Sequence, residues 1–373
     1  MRFFSQSRFF ARSSMGVWIL SMLSLLCITT HVRASGYFPP VGTWRVATPA
    51  SQGMNAARLT ALCTFTKHTD PVSSVLVIRH GYVVLNCGPT GTPRAVASTS
   101  KSLSGLAHAH AFQAGVLHPN DALYPYLPAS WGMVSGHRQI QVKHVLNMTS
   151  GLFPHDKPRS APGYYETAFS LGMVASPGEQ WAYASAPIDI ASVVFRNATG
   201  RSVHEYLNVH IFSRIGAGTI GWDTFCSVAG ACFTRASSGA KLTAYQMARV
   251  GYLLLKDGMW GTQRLVSAAE VDRITQWDPA LATASGDGPQ HYYTARNWWT
   301  NIDGRAMGKN IPRDAFLAGG NRGNHLVIIP SLDLIYVRTA GNVQPAGFTL
   351  WWDFLQHMIG KVVSALPGYS GIP

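Results

Sequence analysis

The chain has 373 residues, 47% of them hydrophobic and 13% charged, with a formal charge of +13 at pH 7. This balance excludes a disordered chain and is enough for one large globular domain or two interleaved parts. The positive charge comes from single arginines and lysines scattered along the chain without a basic run, which argues against nucleic acid as the partner.

The N-terminal stretch MRFFSQSRFFARSS holds Arg2, Arg8 and Arg12 and no acid. An uncharged run from Met15 to Thr30 follows, and then Val32-Arg33-Ala34. A basic start, a short apolar run and a small-residue site predict an export signal over residues 1–34, cleaved after Ala34. The apolar run is shorter than the roughly 20 residues that span a bilayer, so no stable membrane insertion of the mature chain is expected. Removal of Arg2, Arg8, Arg12 and Arg33, with no acid lost, lowers the charge by four to +9. Four cysteines would remain, Cys63, Cys87, Cys226 and Cys232. In an oxidising compartment an even count favours disulfides, though spacing does not fix the pairing. Cys226 and Cys232 are near enough in sequence to close a short loop, and Cys63 with Cys87 would then tie the first helix to the second strand. No Cys-x-x-Cys or His-Glu-x-x-His pattern occurs, so a zinc site has little support.

Beyond a Pro- and Gly-rich lead-in, SQGMNAARLTALCTFTKH has helical spacing, with Ser51 as its N-cap. VSSVLVIRH, Gly81 and YVVLNC predict a strand, a tight turn and a second strand. A helix is expected from Ser98 to about Val116. The middle is richer in Pro, Gly and helical segments. The last third holds a helix at LTAYQMARVGYLLLKDG, two β-branched runs, NHLVIIP and LDLIYVRTA, and a closing amphipathic helix, FTLWWDFLQHMIGKVVSAL. Strands at both chain ends around a helical middle predict an α+β fold. In it, residues 35–100 and 226–373 form a discontinuous sheet domain, residues 101–225 form a helical region, and the active site lies between them.

Ser98 and Lys101, three apart on a helix, share one face about a turn apart. A serine hydroxyl becomes a useful nucleophile only with a base beside it, and a helix N-terminus offers N–H groups to a developing oxyanion. The spacing alone is weak evidence, because Ser is common at N-caps and Ser238 and Lys241 repeat the pattern in a loop. Two other features accompany Ser98. Tyr183-Ala184-Ser185 puts a phenol and a hydroxyl at a turn into a helix, and a phenol can share a proton with an amine. In FLAGGNRGN, Gly319, Gly320 and Gly323 let a strand edge come close to a ligand. His108 and His110 point to different helix faces and make a poor metal pair. No Gly-x-Ser-x-Gly elbow is present.

The stretches STSKS, VLNMTSGL, PGEQWAYASA, KLTAYQMARVGYLLLKDGMWGTQRLVS and LAGGNRGNHLVIIPSLDLIYVRT, in that order, cover nearly all of the mature chain. Together they resemble the serine β-lactamase and penicillin-binding superfamily, in the branch of class C β-lactamases, D-alanyl peptidases, related esterases and 6-aminohexanoate-dimer hydrolases. The resemblance implies a β-lactamase/transpeptidase-like antiparallel sheet with flanking helices and no cofactor. It implies Ser98 as acylated nucleophile, Lys101 as its proton acceptor and Tyr183 as the group that protonates the leaving atom and later activates water. Ser185 falls where the family has Asn or Ser bonded to the lysine or the substrate.

The third motif, usually Lys-Thr-Gly or His-x-Gly, aligns with Ala318-Gly319-Gly320, and the N–H groups of Ser98 and Asn321 would form the oxyanion hole. Ala318 can neither hold an anionic substrate nor join a proton network, which favours a small ester or amide over a β-lactam or peptidoglycan. Tyr292, Tyr293, Trp298 and Trp299 are candidates for core or for an apolar acyl pocket, and Trp298 is assigned to substrate binding. The overall expectation is an exported serine hydrolase. A D-alanyl carboxypeptidase or β-lactamase, and a non-hydrolytic ligand-binding relative, are the alternatives.

Overall fold

The computed structural model describes residues 37–132, 136–152, 169–170, 172–227, 230–286, 289–341, 348 and 351–369, so the expected export signal lies outside the described residues. The first helix, α1 (Ala56–Thr69), begins later than its sequence pattern suggests. Ala50–Gln52 forms a separate 3-10 turn, and Asn55, not Ser51, caps α1 by accepting the Arg58 N–H at 3.1 Å. β1 (Ser74–Arg79) and β2 (Tyr82–Cys87) follow as a hairpin. Next come α2 (Thr99–Gln113), α3 (Ala186–Thr199) and α4 (Ala244–Leu255), the last opened by a capping box between Thr243 and Gln246. The chain ends with β3 (Trp299–Thr300), β4 (Phe316–Gly320), β5 (Asn324–Ile329), β6 (Leu334–Thr339) and α5 (Trp351–Val363).

Six strands form one antiparallel sheet in the order β3-β4-β5-β6-β1-β2, with Ser74 opposite Thr339 and Arg79 opposite Leu334. The sheet is thus built from both chain ends, as the pattern of strands predicts. β5 and β6 are buried at every position, which explains why their sequences read as continuous apolar runs and not as alternation. Gly251 of α4 lies against Leu326, Ile328 and Ile335 on one face. On the other face His325 meets Trp351 and Phe354 of α5.

Polar ties hold this frame in register. The wholly buried Asp70 and Arg338 pair at 2.9 Å and join the end of α1 to β6. Arg338 also donates to the carbonyls of Arg322 and Gly323, at 2.8 and 2.9 Å, and so fixes the β4–β5 turn. Removing either partner would leave an uncompensated buried charge, at about 3–5 kcal/mol. Disulfides join Cys63 to Cys87 and Cys226 to Cys232, the first stapling α1 to β2. Among the described residues no helix is long and apolar enough to cross a membrane, and no cluster of His, Cys, Asp or Glu could hold a metal ion.

Candidate active site

α2 runs through the middle of the molecule. Ser100, Ser102 and Ser104 are buried with its apolar residues, and small side chains let neighbouring backbone close around it. Ser100 Oγ donates to the Ala97 carbonyl at 2.6 Å and accepts the Ala240 N–H at 3.0 Å, pinning the start of the helix to a short strand at Ala240–Leu242. Ala97, just before the helix, has φ 49°, a left-handed conformation that costs a non-glycine residue about 1 kcal/mol or more. Ser98 follows at the N-cap position, but its side chain does not cap the helix.

Lys101 is 1% exposed, and its ammonium donates to Ser98 Oγ at 3.1 Å and to the Ser237 carbonyl at 2.9 Å. Ser237 is held in turn by Asp189, whose two carboxylate oxygens accept the Ser237 N–H at 2.7 Å and its hydroxyl at 2.8 Å. Asp189 is fully buried in the first turn of α3, where the helix dipole favours a negative charge. The other Ser-x-x-Lys differs in kind. Lys241 lies in a strand and pairs with Asp223 at 2.6 Å, both side chains about half exposed.

Ser98 opens on a cavity of about 360 Å³ whose other walls are Tyr183, Gly319, Gly320, Asn321 and the indoles of Trp181, Trp299, Trp351 and Trp352. Tyr183 stands at the rim, 42% exposed, its ring centre 4.9 Å from the Lys101 nitrogen and stacked on Trp299. Gly319 and Gly320 carry the strand edge past the start of α2 because they have no side chains. A Cβ on Gly320 would fall 2.3 Å from the Val96 carbonyl oxygen, and one on Gly319 would fall 2.5 Å from the Trp351 ring. Trp351 Nε1 donates to the Gly320 carbonyl at 2.9 Å and ties α5 to this edge. Behind the wall, the buried Tyr293 donates to Asn297 Oδ1 at 3.0 Å, and burial together with the neighbouring Tyr183 raises its phenol well above the ordinary value.

The structure therefore brings Ser98, Lys101, Tyr183, Gly319, Gly320 and Asn321 together. Three other residues singled out in the sequence are not among those that line the cavity. Ser185 begins α3 half-buried, and the partners of the Lys101 ammonium among the described residues are Ser98 and Ser237. Ala318 is wholly buried and absent from the cavity wall. Trp298 is also wholly buried, and its indole N–H donates to the Ser102 carbonyl at 3.0 Å beneath α2. Successive side chains of an extended strand point to opposite sides, so Trp299 lines the cavity and Trp298 supports the helix.

A family model described as Beta-lactamase matches residues 64–350. The chain is 25% identical over 285 residues to the 6-aminohexanoate-dimer hydrolase of Paenarthrobacter ureafaciens, covering 69% of this chain and 68% of that one. It is 27% identical over 163 residues to Protein flp of Staphylococcus aureus, covering 38% of this chain and only 32% of that one. Among solved structures, a putative 6-aminohexanoate-dimer hydrolase from Bacillus anthracis superposes with a TM-score of 0.67 at 15% identity, over 88% of this chain and 90% of its own. EstCE1, a hydrolase with promiscuous acyltransferase activity, gives 0.60 at 17% identity, over 83% and 98%.

Proposed function

The chain belongs to the Beta-lactamase family, and on that premise we propose that it hydrolyses a small ester or amide through an acyl-enzyme on Ser98. The observation that carries this reading is the 3.1 Å contact between Lys101 Nζ and Ser98 Oγ at a helix start that opens on a cavity. In this step the neutral amine form of Lys101 takes the Ser98 proton, becoming the ammonium, as Oγ bonds to the carbonyl carbon. The N–H groups of Ser98 and Asn321 hold the resulting oxyanion. Tyr183 gives a proton to the departing oxygen or nitrogen, then takes one from the water that releases the acyl group. Ser237 and Asp189 act as positioning residues, holding the lysine against the serine.

Two features favour an ester or short amide over a β-lactam or cell-wall peptide. No Lys or His lines the cavity among the described residues, in keeping with the sequence resemblance that sets Ala318 against the family's usual Lys or His, and the similar proteins include a 6-aminohexanoate-dimer hydrolase and EstCE1. We also propose export, from the Arg-rich start with its apolar run and from the two disulfides. N-terminal sequencing of the mature protein should then begin at Ser35. The nucleophile is tested by an active-site fluorophosphonate. Wild-type protein should be labelled and Ser98→Ala should not, and equal labelling of the two would refute the assignment.

A further inference from the structure

Building on the Ser98 acyl-enzyme reading, we propose that the substrate is an uncharged ester or amide bearing a planar apolar group that lies flat among the indoles beside Ser98. Five aromatic side chains make most of the cavity wall: Trp181, Tyr183, Trp299, Trp351 and Trp352. Their planes are arranged in two directions. Tyr183 and Trp299 lie nearly parallel, 22° between planes with centres 6.0 Å apart. Trp352 stands edge-on to Trp299 at 5.1 Å and 84°, and Trp351 stands edge-on to Trp352 at 4.4 Å and 81°. Parallel and perpendicular planes bound a flat-sided recess. A ring placed there gains offset stacking on one side and edge contacts on the other, whereas a short alkyl chain gains only the burial of its smaller area.

Size and charge narrow the class further. The cavity measures about 360 Å³. An apolar cavity of roughly 150 Å³ accepts benzene, so one ring together with its ester link fits. Among the described residues no Asp, Glu, Lys, Arg or His lines the wall. The Lys101 ammonium is 1% exposed and already bonded to Ser98 and to the Ser237 carbonyl. A carboxylate entering this recess would lose its water and meet no opposite charge, so an anionic substrate is rejected by the same wall that welcomes a neutral ring.

Two matched series of esters test this on the purified protein: a benzoate against an acetate of one alcohol, and benzyl acetate against ethyl acetate. Each rate is divided by the rate with hydroxide. The aromatic member should lead in kcat/KM by roughly tenfold in at least one series. Trp299→Ala should lower that ratio by about the same factor. Trp299→Phe keeps a flat ring, controls for misfolding and should retain most of the ratio. A para-carboxylate on the ring should lower kcat/KM by about a hundredfold or more relative to a para-methyl group. Equal corrected rates in both series, or a para-carboxylate substrate as good as its methyl counterpart, overturns the proposal. Fluorophosphonate labelling of the same samples separates the two layers. A labelled Ser98 without aromatic preference sinks the substrate class alone, while an unlabelled Ser98 removes the acyl-enzyme and the substrate class together.

Discussion

The floor of the cavity and its wall are held by different forces. On the floor, Ser98 and Lys101 sit in a lattice of short directional bonds through Ser100, Ser237 and Asp189 to a strand and a second helix. On the wall, Trp181, Tyr183, Trp299 and Trp352 are placed mainly by ring packing, and Trp351 is tied down by its bond to the Gly320 carbonyl. Directional bonds fix an atom to a fraction of an ångström, whereas ring packing fixes a shape and allows small slides. Chemistry should therefore tolerate almost no change on the floor, and selectivity should be adjustable on the wall.

The sharpest way to break this contrast is Ser98→Ala. Turnover should fall by about 10⁴-fold or more while the thermal midpoint stays put; a variant that keeps a tenth of the wild-type rate would place the chemistry elsewhere. Tyr183→Phe belongs to both regions, since it keeps the ring and loses the phenol. It should cost about 10²-fold in kcat with ester binding little changed. A full-rate enzyme would make Tyr183 part of the wall only. Asp189→Asn keeps the shape and removes a charge three contacts from Ser98, through Ser237 and Lys101. We expect roughly a tenfold loss in kcat and a shifted pH profile, because bonds to a charged group are worth about 1.5–3 kcal/mol. A drop in thermal stability with an unmoved pH profile would make Asp189 only structural. Trp352→Ala should raise KM for an aromatic ester by a few-fold, within the about 0.5–1.5 kcal/mol range of one ring contact.

The smallest effect concerns the floor's foundation. His108 is fully buried two turns below Lys101, its Nδ1 within 2.8 Å of the Ser104 carbonyl, and burial lowers its pKa to about 4 from an ordinary 6.5. The folded ring stays neutral while the unfolded one takes a proton, so its contribution is intact above pH 6.5 and is lost as pH falls toward 4. His108→Gln should flatten the acid side of the melting curve by a few degrees. An unchanged slope would assign that acid sensitivity to other buried histidines such as His325, whose pKa burial also holds well below the ordinary value.

How far the sequence reveals the site follows the same division. Ser98, Lys101 and Tyr183 stand out because chemistry restricts which side chains can fill those places, and the two β-branched runs reveal the strands that the sheet buries on both faces. Ser237 gives no such signal, since it meets Lys101 through a backbone carbonyl that any residue could supply, 136 positions away. Trp299 opens β3 and Trp298 comes just before it, facing the other way, and a pair of identical neighbours carries no phase. Trp351 and Trp352 read as one end of an amphipathic helix, and only the packing of that helix across β4 turns them toward Ser98.

The sheet also sets a schedule. Ser74 in β1 and its partner Thr339 in β6 are 265 positions apart, so the first hairpin is synthesised long before the strand that completes it. At about 5–20 residues per second, roughly 10–50 s separate the two during translation. Through that interval β1 presents an unpaired apolar edge, the surface from which chains aggregate. The yield of this protein in a cell should therefore depend on elongation speed and on whatever shields that edge, more than on the stability of the finished fold.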